Sequence, residues 1–181
     1  LAGALMMVAL YGMLRNLALA CTIVVVAMMA TIWSMGLLVA AGQPVHIMSS
    51  MMPVFLMAIA TDSIHMFNEF YFRLREVPDR RRAVLDTIES VGAPVRYTAL
   101  ATAAGFAVLM VGGIVPVRVF GLFTAFGTIV IRLMSFSFIP AVMMLVSEDR
   151  LHRASRREAL DAGASSWLAA LGRMSVSHPR V

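Results

Sequence analysis

Apolar residues fall into five long runs separated by short polar breaks. The first, 1–14, ends at Arg15-Asn16. The second, 17–41, ends at the turn signal Gly42-Gln43-Pro44. The third, 47–72, carries Pro53, Asp62, His65 and Glu69. The fourth covers 95–115 and the fifth 117–146. Crossing a bilayer core of about 30 Å takes about 20 apolar residues, and the fifth run is long enough to cross with tilt. Only helices and closed barrels satisfy their backbones in lipid. These runs are continuous and lack the two-residue alternation of barrel strands. The pattern therefore predicts an all-α membrane protein with five transmembrane helices.

The polar stretches predict further helices along the surface. In 79–93, Ala83, Val84, Ile88 and Val91 recur at helical spacing, with Asp79, Arg80, Arg81, Asp86 and Glu89 at the polar positions. That is an interfacial amphipathic helix. After Val146 the chain becomes charged. Within 147–181, Trp167, Leu168, Leu171 and Met174 predict a second interfacial helix, which leads through His178-Pro179 towards a further span. The first run begins without an initiator Met or a basic leader, so the chain is expected to be an internal fragment with a truncated first span.

Composition agrees with this division. The chain is 60% hydrophobic and 14% charged, with a mean hydropathy of +0.85, against about a quarter charged in a soluble domain. All fifteen basic residues are Arg. In a five-span topology, thirteen of them fall on one side of the membrane, Arg118 falls on the other, and Arg132 lies within a span. The positive-inside rule makes the Arg-rich side cytoplasmic. The tail is thus expected inside; the expected membrane is a bacterial inner membrane. The net charge of +5 reflects topology rather than nucleic-acid binding. The lone Cys21 offers neither a disulfide nor a metal pair. No phosphate loop, metal-spaced cluster or Ser/His/Asp set is present, so neither a cofactor nor enzymatic catalysis is expected.

Candidate chemistry centres on Asp62. It lies about 14 residues into its span, at roughly 21 Å depth, where a carboxylate costs at least about 2.5 kcal/mol. It must be protonated, paired, or facing a hydrated cavity. A carboxyl that gains and loses a proton is what a proton-coupled machine requires. His65 and Glu69 follow at three and seven residues, near one helical face. Arg132 lies about 15 residues into the fifth run, at a similar depth. If the two helices touch, Arg132 is positioned to stabilise ionised Asp62 and to be released when Asp62 protonates. Thr98 and Thr102, one turn apart on the fourth run, are candidates to hydrogen-bond towards Asp62. Ala99, Ala103 and Ala107 form one small-residue stripe and Ala101 with Gly105 another, for close helix approach. Pro53 removes a backbone donor and is expected to kink the Asp62 span.

Three motifs carry a family resemblance. One is Ala60-Thr61-Asp62-Ser63-Ile64-His65, continuing to Phe70-Tyr71-Phe72-Arg73. Another is Ala93-Pro94-Val95-Arg96-Tyr97-Thr98 with Ala101-Thr102-Ala103-Ala104-Gly105-Phe106. The third is Pro116-Val117-Arg118-Val119-Phe120-Gly121 with Ile139-Pro140-Ala141. Together they resemble the RND superfamily, particularly MMPL-like exporters that include hopanoid and other lipid transporters. The resemblance covers nearly the whole chain. It implies helices two to six of a twelve-helix protein, an RND-type half-bundle. It also implies an upstream periplasmic domain and a second helical half as partners. The implied function is proton-driven export of lipid or hydrophobic substrates, with Asp62 and His65 relaying protons. Ala60 stands where the family usually has Gly, and Arg132 is foreign to its sixth helix; both suit a paired Asp62. The alternatives are a SecD/SecF-like translocation motor and a sterol-sensing-like lipid sensor.

Overall fold

A computed structural model describes residues 2–14, 17–76 and 79–145. Every regular element among them is helical: α1 (Ala2–Leu14), α2 (Leu17–Ala40), α3 (Ile47–Ser50), α4 (Met52–Thr61), α5 (Ile64–Glu76), α6 (Arg80–Val108) and α7 (Val115–Leu145). A 3₁₀ turn, Leu109–Val111, joins α6 to α7. The second interfacial helix expected within 147–181 lies outside the described residues.

Among the described residues, four segments are long and apolar enough to cross a membrane: Leu17–Ala40, Ile47–Leu74, Arg80–Val111 and Val115–Leu145. The first run, expected as a truncated span, forms α1 with 13 residues, about 20 Å of helix and short of a full crossing. Large apolar side chains cover much of the outer surface of the spans. Ile32, Trp33, Phe55, Leu100 and Leu133 are all exposed, a coat that suits a lipid solvent and would aggregate in water. The chain is a multi-pass membrane protein.

α7 forms the centre of the bundle. Thr124, Thr128, Arg132 and Ser135 share its buried face with Ile131, Ile139 and Met143. α2 packs along it through Leu38, which joins Met52, Val119 and Phe123 in a buried apolar cluster. Phe55, Phe106 and Phe120 meet edge to face, with centroids 5.4–6.1 Å apart. This geometry favours aromatic pairs and ties α4, α6 and α7 together. Two α7 glycines permit the closest approaches. A Cβ on Gly121 would lie 2.5 Å from the Phe106 carbonyl oxygen, and one on Gly127 would lie 2.6 Å from Leu56 Cδ2 and against Ser34.

The expected interfacial helix 79–93 and the span from 95 are one helix, not two. Asp79 caps α6 by accepting from the Arg81 N–H at 3.0 Å. From there Ala83, Thr87, Val95, Ala99 and Ala103 are buried in steps of four, or eight across Val91. Pro94 removes one helix donor without interrupting that stripe, because burial on both sides of it holds the axis. At the far end of α7, Arg80 Nε donates to the Met143 carbonyl at 2.8 Å.

The third span is instead broken twice. Pro53 sits in the first turn of α4, so the interruption falls just before it, at Met51. The second break is at Asp62.

Candidate functional site: an ion pair at a helix break

Asp62 stands between α4 and α5. Around it the backbone bonds run to the third residue back: Asp62 N–H to Ile59 O (3.2 Å), Ser63 N–H to Ala60 O (3.1 Å), His65 N–H to Asp62 O (3.3 Å) and Met66 N–H to Ser63 O (3.2 Å). Asp62 has φ −57° and ψ −23°, values of a 3₁₀ turn. Such a tightening inside a long helix often marks a hinge.

The turn aims two consecutive side chains at α7. Arg132 Nη2 donates to Asp62 Oδ2 at 3.1 Å. One turn further along α7, the hydroxyls of Ser135 and Ser63 are hydrogen-bonded at 2.9 Å, both fully buried. The pair is lopsided: the Arg132 side chain is 8% exposed and the Asp62 side chain 45%. Arg132 Nε and Nη1 are buried with no protein acceptor. A buried guanidinium with two unused donors needs water or a further acceptor. The carboxylate's open half, within a membrane span, needs a hydrated space or a polar neighbour.

His65 Nε2 lies 3.9 Å from Asp62 Oδ1, with its side chain 66% exposed. That is ion-pair distance for a protonated imidazole and too long for a hydrogen bond. Glu69 turns towards the charged end of the span, where its Oε1 accepts from Arg73 Nε at 2.9 Å and from the Ser90 hydroxyl at 3.3 Å.

Thr98 and Thr102 do not join this site. Thr98 Oγ1 donates to Val95 O at 3.0 Å, and Thr102 Oγ1 donates to Thr98 O at 2.8 Å. A hydroxyl inside a helix has a carbonyl of its own helix within reach, and that local bond replaces the expected support of Asp62. The polar support comes from Ser63 and Ser135, which the sequence reading missed. Their spacing from Asp62 and Arg132 carried the signal: Ser63 is the next residue and Ser135 follows at i+3. Of the two small-residue stripes, Ala99 and Ala103 are buried, whereas Ala101 and Gly105 are exposed.

Compared with known families, residues 15–160 match the family model described as the sterol-sensing domain of SREBP cleavage-activation. The match covers most of the 181 residues. This chain belongs to the sterol-sensing domain family. The domain occurs in membrane proteins of the RND and patched type, and membership indicates a lipid-related role in the membrane. No curated protein and no solved structure matches the chain.

Proposed function

We propose that this sterol-sensing domain is part of a proton-driven secondary transporter that exports lipid or hydrophobic substrates across a bacterial inner membrane, with its Arg-rich end inside. The observation that carries this reading is the Asp62–Arg132 ion pair at a 3₁₀ break in the middle of a membrane span. An ion pair in low dielectric costs desolvation unless it is well satisfied, and this one leaves donors of Arg132 unused. It is therefore poised to be switched. Protonation of Asp62 removes the anion, weakens the tie to α7, and frees the hinge between α4 and α5. Deprotonation restores the tie. Alternating between the two states gives each proton a mechanical effect on the bundle. In this reading His65, whose Nε2 lies 3.9 Å from Asp62 Oδ1, passes protons to and from the carboxylate. The MMPL-like exporters are the branch of the superfamily that this reading favours.

A second reading, a lipid sensor without transport, is compatible with the family match. Efflux of Nile red from cells carrying the full-length protein separates the two. The transporter reading predicts efflux that collapses when a protonophore removes the proton gradient. Asp62→Asn should abolish that efflux, and Asp62→Glu should retain part of it. Gradient-independent efflux, or full efflux in Asp62→Asn, would overturn the transporter reading.

A further inference from the structure

At the end of the bundle formed by loops 41–46 and 112–114, a cleft of about 350 Å³ opens between the end of α2, the 3₁₀ turn and the start of α7. Its volume falls in the range of ligand clefts, about 300–1,000 Å³. Buried Val119 and Phe123 line it, joined by the exposed Met110 and Leu122. Among the described residues, the polar side chains in the lining are Arg118 and Gln43.

Arg118 is the charge that most needs an explanation, because it breaks the positive-inside pattern. Its Nε donates to Met110 O at 3.0 Å. That bond uses one of five guanidinium donors. The positive charge has no carboxylate near it in sequence: there is no acidic residue before Asp62, and none between Glu89 and Glu148. It also sits in the opening turns of α7, a 31-residue helix with no acidic residue in its first turn, where the helix dipole adds further positive potential. A cation beside an apolar cleft, without a counter-ion among the described residues, is complementary to a molecule with an anionic head and an apolar tail. A soluble anion would leave the apolar lining uncovered, and a neutral lipid would leave the guanidinium unmatched.

We infer that this cleft binds a membrane-resident acyl amphiphile with a single anionic head. The carboxylate or phosphate would be held by Arg118 and the Gln43 amide, with the chain along Val119, Leu122 and Phe123. Charge-assisted hydrogen bonds from guanidinium to such a head are among the stronger polar contacts. The inference does not rest on the transporter reading, since a sensor would use the cleft equally well.

The test is photocrosslinking of the full-length protein in lipid nanodiscs. One probe is a diazirine-bearing hexadecanoic acid, and the other is the matching primary alcohol. The acid should crosslink within 119–123, and Arg118→Gln should lower that labelling about tenfold while leaving the weak labelling by the alcohol unchanged. Arg118→Lys keeps the charge and should retain most of the labelling. Leu122→Trp fills the cleft and should block labelling with Arg118 intact. Equal wild-type labelling by acid and alcohol would overturn the inference, as would acid labelling that persists in Arg118→Gln. If Arg118→Gln fails to fold, the other two variants decide: retention in Arg118→Lys with loss in Leu122→Trp supports the site, and any other combination removes it.

Discussion

Asp62 and Arg132 depend on each other unequally. The guanidinium is enclosed, whereas nearly half of the carboxylate surface is open. Removing Asp62 strands a buried cation, while removing Arg132 leaves a carboxylate that can still be solvated on its open side. Asp62→Asn should therefore destabilise the protein more than Arg132→Met, on the order of 3 against 1 kcal/mol. The double variant should recover part of the Asp62→Asn loss, because the orphaned charge is then gone. Thermal unfolding of the four proteins in detergent checks this as a double-mutant cycle. Strictly additive losses would mean that the pair carries no coupling energy. Both charges were legible in the sequence, because an ionisable residue deep in an apolar run always requires a partner. The serine pair was not, since a small hydroxyl inside a membrane helix is usually satisfied by its own backbone, as Thr98 and Thr102 are.

At the scale of elements, hydropathy located the long spans but not their irregularities. An apolar run reads the same whether its backbone is continuous or broken. The 3₁₀ turn at Asp62 is set by tertiary bonds from Asp62 and Ser63 to α7, contacts that no local pattern encodes. The reverse holds at Pro94, where a proline and a run of charges suggested a boundary that the stripe of buried residues in α6 overrides. The glycines of α7 show how closely these elements are fitted. At Gly121 an added methyl group meets the backbone of Phe106, which cannot yield, whereas at Gly127 it meets the Ser34 and Leu56 side chains, which can rotate. Gly121→Ala should cost about 3 kcal/mol and Gly127→Ala about 1–2 kcal/mol. Gly105→Ala, where a methyl group meets nothing within 4 Å, should stabilise by up to about 1 kcal/mol through helix propensity. Unfolding midpoints of the three variants would rank them. A Gly121→Ala protein as stable as Gly105→Ala would mean that α6 and α7 do not approach this closely.

Across the whole molecule, charge and hydropathy separate two ends with different chemistry. One end carries Glu69 with Arg73, and Arg80 against Met143. The other carries Arg118 and its apolar cleft. The membrane character, the helical class and the central charges followed from composition and spacing. The sterol-sensing relationship came from comparison across 15–160; the motifs alone pointed to the wider superfamily. Between the two ends lies the helix break at Asp62, where proton coupling is proposed. Its most direct test is labelling of Asp62 by a hydrophobic carbodiimide, which attacks protonated carboxyls, in membranes containing the full-length protein. Asp62→Asn serves as the blank. Little labelling is expected at alkaline pH, with the carboxylate held by Arg132, and labelling should rise steadily as the pH falls. Arg132→Met should label more readily than the wild type at every pH. Asp62 that stays unlabelled at all pH values in Arg132→Met as well as in the wild type would contradict the proton switch and leave the pair as a fixed structural tie.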